Sequence, residues 1–561
     1  MLWCAAPALA AVLLWMGLGG PGRDFHVPLA FSGDALFYFA QGKGTIEHGW
    51  WWHNPSIGVP LPYPALVFPQ NTNVEQAVVW LVGWGTRDGV LGVNVAWIAL
   101  VALSAASATW GLRRVGVSML GAIVSGVLFA MTPYAMYRNV GHVNLAIYLV
   151  PFAATAAMLI AAGRVELTWR SRTTWVLVAG NLLLGFDYIY YAFFGTALIA
   201  AAVLLGLGRG RPRALLMTAG VWGGAIVLAT ALNLLPTQLA WRTYGQPGGV
   251  QHAAAESEVL GLKIRHLVSP VANHWFPPFA DWQRLEQRAD FPLENENAYG
   301  RLGSVGTLGF LWLLLVMVLP EGARREDDGD ATAAAARLTC VALLIAMVGA
   351  LGSLFSLLVA SQIRGYNRIA PFIVFFSLAG LALAIDRKTQ ARRWGRRVVW
   401  AAVLVLGVLD QWPPLGDLAA DRRVIEPEFR KIGRFISQLE SGLPAGAMVF
   451  QLPIRPFPVD EGTDTMGIYD QFRPYLASRH LRWSYPALST EQQRWQQRAA
   501  GLSPAELPSF LADEGFSAIL INRWGYTDLG QSIAQSLGEG PRAPAVLSQN
   551  EDFIALDLGR R

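Results

Sequence analysis

The sequence predicts a polytopic α-helical membrane protein with a small carboxy-terminal α/β domain. Three observations carry that expectation. The 561 residues are 53% hydrophobic and 15% charged, whereas soluble domains run near 25% charged. Long apolar runs recur as far as residue 410, as a bilayer crossing of about 20 residues demands. After Pro413 those runs stop, and short amphipathic and alternating stretches take over.

Taken in order, apolar segments at 2–20, 89–112, 118–133, 143–162, 174–186, 191–207, 214–234, 304–319, 338–358, 371–385 and 398–410 give about eleven candidate spans. Residues 2–20 lack a basic start and a small-x-small cleavage pattern, so they read as a membrane helix rather than a signal peptide. Segment 74–84 is apolar but short, which suits a re-entrant or interfacial helix. Cys4 and Cys340 fall inside apolar runs. Two such cysteines make neither a disulfide framework nor a metal-ligand pattern.

The net charge of +5 matters less than its distribution. Arg113 and Arg114, then Arg164, Arg170 and Arg172, then Arg209, Arg211 and Arg213, then Arg324 and Arg325, then the cluster from Arg387 to Arg397 occupy alternate loops. Such alternation reports topology and not nucleic-acid binding. The positive-inside rule places the amino terminus in the cytoplasm. An odd number of spans then puts the long loops 21–88 and 235–303 outside, together with the tail. The expected division is a transmembrane part over 1–412 and a soluble extracytoplasmic domain over 413–561. Within that domain, helices are expected at 428–439, 504–514 and 527–537, and strands at 447–452, 517–522 and 553–558, an alternation that suits an α/β layer.

The residues with chemistry gather on the predicted outer side. The loop 31–73 is polar, with Asp34, Lys43, Glu47, His48 and His53. Its Trp50-Trp51-Trp52 run suits a membrane–water boundary. An ionised carboxylate such as Asp34 can take a proton from an attacking hydroxyl, although an aspartate after a glycine is also an ordinary helix cap. The histidines and acids of this loop match no strong metal-site spacing. Arg138 and His142 in the next outer loop can hold a phosphate or a sugar hydroxyl. Asp187 stands among Tyr188, Tyr190 and Tyr191; aromatic-belt packing accounts for the rings but not for the acid. The long loop adds Glu258, Lys263, His274 and Asn295, with 259–271 expected as a helix lying at the interface. Arg364 and Arg368 sit in a short outer loop against the positive-inside rule, and a phosphate is a natural reason for them.

Several strings then become informative together. Gly33-Asp34-Ala35-Leu36-Phe37, Gly141-His142-x-Asn144, Arg364-x-Tyr366-Asn367-Arg368 and the tail strings Phe450-Gln-Leu-Pro453, Tyr469-Asp-Gln-Phe-Arg473-Pro-Tyr475 and Leu481-Arg-Trp-Ser-Tyr485 resemble GT-C type glycosyltransferases. Within that type they are similar to a bacterial branch often labelled sugar translocase or glycosyltransferase. The resemblance implies an enzyme of the bacterial cytoplasmic membrane. It would move a sugar from a polyprenyl-phosphate donor to a cell-envelope glycan or lipid acceptor at the outer face. Asp34 would be the base, and Arg364 and Arg368 would meet the lipid phosphate. One departure stands out. The branch leads us to expect a second acid near 68–73, where this chain has Pro69-Gln70-Asn71-Thr72-Asn73, and this counts against a divalent-metal version. A lipid-linked sugar flippase is the alternative, but the spans contain Asn94, Asn181 and Asn233 and almost no central charge, against what transport needs. A non-catalytic envelope assembly protein stays open on the residues alone.

Overall fold

The structure is a computed structural model describing residues 2–69, 71–164, 167–207, 212–247, 252–288, 295–319, 330–459, 462–463 and 465–559. Gln70, Arg209, Arg211, Glu294, Arg324 and Arg325 therefore lie outside the described residues. Each of the eleven expected segments coincides with helix. Among the described residues, six helices are long and apolar enough to cross a membrane: Gly89–Val115, Met119–Arg138, Val140–Ala161, Ile189–Gly206, Pro212–Tyr244 and Tyr366–Thr389. Arg393–Gln411 and Pro413–Gly442 pass that test together as a pair bent by 41°, while Leu2–Gly17, Gly303–Val318 and Ala331–Ala346 are shorter. The expected run 338–358 divides into Asp330–Ala346 and Leu351–Leu358, because Gly349 turns the chain with φ 73°.

The helices begin and end where their residues dictate. Asp88 caps Gly89–Val115 by accepting the Leu91 N–H at 2.8 Å. Arg113 and Arg114 lie in its last turn, and Gly116 ends it at φ 111°, the left-handed position that glycine fills at least cost. Between helices, small residues bring backbones together, as packing in an apolar solvent favours. A Cβ on Gly126 would fall against Thr109 Oγ1 and the Ala105 carbonyl, and one on Gly309 against the Ser377 carbonyl.

The loop 31–73 is less of a loop than its polarity suggests. Asp34–His48 is a helix with Leu36, Phe39, Ala40, Gly42, Lys43 and Thr45 buried. Gly42 lets it lie against Val93, and Thr45 Oγ1 donates to Gln76 Oε1 at 2.7 Å. Lys43 reaches Glu47 one turn on. The tryptophan run is divided: Trp51 is buried and donates to Asn73 Oδ1 at 2.9 Å, whereas Trp52 is exposed. The expected interfacial helix 259–271 is broken. Glu256–Val259 and Ile264–Val268 are short helices, and between them Leu262 pairs with Met347 as an extended bridge.

In the tail, one helix runs Pro413–Gly442 and leads into a five-stranded sheet ordered β2-β1-β3-β5-β4. Its strands are β1 (Met448–Leu452), β2 (Arg482–Trp483), β3 (Phe516–Asn522), β4 (Ala545–Gln549) and β5 (Phe553–Asp557). β1 is parallel to β2 and β3, and β5 is antiparallel to β3 and β4. The sheet is continued by the first loop. Ile57 bridges Trp483, the Trp483 N–H donates to Ser56 O at 2.8 Å, and the Val59 N–H donates back to Trp483 O at 3.2 Å. Gln492 donates to Gly58 O and Asn54 to the Tyr475 hydroxyl. The Asp34 loop and the tail are thereby one packed unit.

Candidate active site

Asp34 opens its helix because Gly33 takes φ 55°, a conformation glycine reaches without a Cβ penalty. His142 comes from the turn Val140–Leu145. That turn is set by Asn139, which has positive φ and accepts the Gly141 N–H on its side chain at 2.8 Å. The two meet: His142 Nε2 lies 3.1 Å from Asp34 Oδ2, and the carboxylate side chain keeps 41% of its surface open. One turn along the helix, Phe37 packs with Phe457 and Phe472 of the tail at 5.8 and 6.3 Å. Phe37, Gln41, Trp51, Asn54, Tyr63 and Phe68 line a small cavity on this side of the helix.

A second cluster is closed. Arg138 Nη1 donates to Glu296 Oε2 at 2.6 Å, and Arg368 Nη2 donates to Glu296 Oε1 at 3.1 Å. Asn367 links both, accepting from Arg138 at 3.3 Å and donating to Glu296 at 3.3 Å. Arg368 also donates to the Tyr188 hydroxyl and stacks 4.7 Å from the Tyr190 ring centroid. Arg138 lies 5.1 Å from the Tyr299 ring. Burial works against the charge on Glu296, but Arg368 and Arg138 outweigh it and hold the carboxyl far below the usual carboxylate range. Two cations around one anion leave this cluster positive.

Arg364 is held differently. It pairs with Glu256, and its backbone N–H donates to the Tyr190 hydroxyl at 3.3 Å. The tyrosines after Asp187 therefore serve both arginines and are more than a belt. Tyr191 adds a link to the His142 turn, donating to Leu145 O at 2.8 Å and to the Tyr134 hydroxyl at 3.0 Å.

Asp187 is buried beneath this layer. It accepts the Glu75 N–H at 3.1 Å and the Tyr148 hydroxyl at 2.9 Å. Burial pushes its carboxyl up to about 7, with those two hydrogen bonds pulling the other way. Burial pushes Glu75 up to about 8, and Asp187 adds to the rise despite hydrogen bonds from Thr72 and Gln76. An acid does follow the 68–73 segment, displaced to Glu75 and turned inward. Among the described residues no three His, Cys, Asp or Glu side chains gather closely enough to hold a metal ion.

The remaining sequence candidates have other partners. Glu258 accepts the Gly349 N–H at 2.8 Å. Asn295 accepts the Asn297 N–H and donates to Val259 O. His274 is buried against Asp410, 3.2 Å away. Lys263 is half-buried just before Ile264–Val268. The structure thus brings together Asp34 with His142, and Arg138 with Arg368. It does not gather Glu258, Lys263, His274 or Asn295 around them through any of these bonds. Glu296 and Glu256 stand in the same long outer loop of the sequence, but sequence reasoning did not assign them to the arginines. Two arginines in an outer loop were their only signal, since a buried guanidinium calls for a carboxylate.

No family model matches the chain, and none of the curated proteins matches it in sequence. Its architecture does have solved counterparts, and the chain is similar to them in fold, a GT-C-like membrane fold. ArnT from Cupriavidus metallidurans is similar in its apo state with TM-score 0.54 and, bound to undecaprenyl phosphate, with TM-score 0.52. Identity is 12% in both, over 98% of this chain and 97% of that one. The arabinofuranosyltransferase AftD from Mycobacteria is similar with TM-score 0.50 at 14% identity, over 100% of this chain and 40% of AftD.

Proposed function

We propose that this protein is a glycosyltransferase that moves a sugar from a polyprenyl-phosphate donor to a glycan or lipid acceptor. It acts at the extracytoplasmic face of the bacterial inner membrane. The observation that carries the reading is the open Asp34 carboxylate, seated at a helix start against His142, whose turn directly follows Arg138 of the arginine cluster. The fold it shares with ArnT and AftD supports the same class of chemistry.

The acceptor hydroxyl attacks the anomeric carbon of the donor sugar. Its proton passes to Asp34, a new glycosidic C–O bond forms, and the bond from the anomeric carbon to the lipid phosphate breaks. The phosphate leaves with the electron pair. Asp34 is suited to this because a general base acts within hydrogen-bond reach, about 2.6–3.2 Å. His142 orients the carboxylate. The loop carrying Arg364 and Arg368 meets the phosphate, whose charge rises as it departs. The tail stays outside, with the amino terminus in the cytoplasm, so that the unit joining the tail to the Asp34 loop faces the acceptor.

The test is transfer of a labelled sugar by the purified protein across a panel of polyprenyl-phosphate sugars, read as labelled acceptor. Transfer from at least one donor is expected. No transfer from any of them, with labelled donor instead appearing on the opposite leaflet of a vesicle, would replace this reading by the flippase.

A further inference from the structure

The two arginines of the loop 361–368 have counter-ions of different kinds. Arg368 is fixed. Its partner Glu296 is shared with Arg138, whose side chain is only 2% exposed, and ring contacts and a tyrosine hydroxyl hold the guanidinium in place. Removing Glu296 from it would strand two buried cations. Among the described residues Arg364 pairs with one carboxylate, Glu256, and both side chains are about one-third exposed. Among the described residues, the Glu256 carboxylate also accepts the Ala253 N–H at 3.0 Å and lies 3.5 Å from His252 Nδ1.

The chain just beyond Glu256 is pinned independently of that ion pair. Glu258 accepts the Gly349 N–H, Val259 O accepts from Asn295 and Asn297, and Leu260 O accepts the backbone and side-chain N–H groups of Asn367. The Glu256 side chain can therefore swing away from Arg364 without undoing the fold around it. A carboxylate on a partly exposed guanidinium is also the position that a phosphate oxygen would take.

We infer that Glu256 is a place-holder on the phosphate subsite of Arg364, displaced when a lipid phosphate binds and returning when it leaves. The ligand class is a polyprenyl phosphate, and the inference rests on the transferase reading above. It has a chemical consequence for turnover. A donor phosphodiester carries one negative charge, as the carboxylate does, so that exchange is even. The product is a phosphate monoester, whose second ionisation lies near pH 6, and it holds Arg364 more strongly than the donor does. A carboxylate tethered beside the arginine opposes that hold and hastens product release.

The experiment measures binding of farnesyl phosphate to the full-length protein in detergent by calorimetry, for wild type, Glu256→Gln, Arg364→Ala and the double variant. Glu256→Gln should bind about two- to fivefold more tightly, the effect of removing one partly exposed competing charge. The gain should shrink at high salt and vanish in the Arg364→Ala background. Equal or weaker binding by Glu256→Gln, or a gain that persists without Arg364, overturns the place-holder and leaves the transferase reading standing. No binding by any of the four proteins removes the lipid-phosphate site itself, and the place-holder with it.

Discussion

Asp34 and Glu296 are both carboxylates that meet a basic side chain, yet their surroundings are opposite. Glu296 is wrapped by Arg138, Arg368 and Asn367, and every oxygen has a donor. The Asp34 carboxylate meets His142 and keeps an open flank. A carboxylate whose oxygens are all taken is a strut. One that keeps a free lone pair beside an imidazole can still accept a proton. On the proposed reading, the contrast separates the part of the site that sets geometry from the part that does chemistry, and each variant below is a way to break or sharpen it.

The largest effect is expected at the open end. Asp34→Asn keeps the shape of the side chain and removes its basicity, so sugar transfer should fall by about 10²–10⁴-fold, the usual range for general base catalysis. At the closed end, Glu296→Gln leaves Arg138 and Arg368 without their shared anion. Losing one partner of a buried pair costs about 3–5 kcal/mol, so a clear fall in melting temperature in detergent is expected. A Glu296→Gln protein that melts like wild type would show that the cluster is not the strut.

Glu75 extends the contrast below the site. Burial pushes its carboxyl up to about 8 from an ordinary 4.5, so the folded protein keeps a proton that the unfolded chain gives up. Stability should therefore decline as pH rises through this window and level off above about pH 8. The slope from Glu75 is at most about 1.4 kcal/mol per pH unit. Glu75→Gln should flatten that decline, though not abolish it, because Asp187 titrates within the same window at about 7. A pH profile of melting temperature between 5 and 9 decides this, and an unchanged slope in Glu75→Gln would contradict the assignment.

The smallest effect belongs to the exchangeable arginine. Arg364→Ala should weaken donor binding by about 1.5–3 kcal/mol, as expected for a charge-assisted bond, with partial rescue by Lys, which lacks the paired N–H geometry. Melting temperature should change little, because the Arg364–Glu256 pair is partly exposed. Unchanged donor affinity would move the phosphate away from Arg364.

The helical segments of the membrane part were legible because hydropathy alone marks a helix in lipid. The helix Asp34–His48 was not. Gly42, Gly44, Lys43 and Glu47 read as loop, and what makes the helix is a fit against Val93 and Gln76 from later in the chain. The break at Leu260–Lys263 was hidden for a similar reason, since the bridge to Met347 is a tertiary contact. In the tail, β1, β3 and β5 show in the sequence as buried apolar strands, whereas β2 has two residues and β4 is largely exposed. At the site, Asp34, Arg364 and Arg368 stood out by type and place. The counter-ions of the arginines did not, because no local pattern connects Arg138 with Glu296, 158 positions later.

The most direct measurement takes one preparation of the Asp34→Asn protein and records both sugar transfer and melting temperature beside wild type. The account predicts that transfer falls by at least about a hundredfold while the melting temperature stays within the error of wild type. Transfer at the wild-type rate would contradict Asp34 as the base. Loss of transfer together with a fall in melting temperature like that of Glu296→Gln would contradict the division between an open chemical end and a closed structural one.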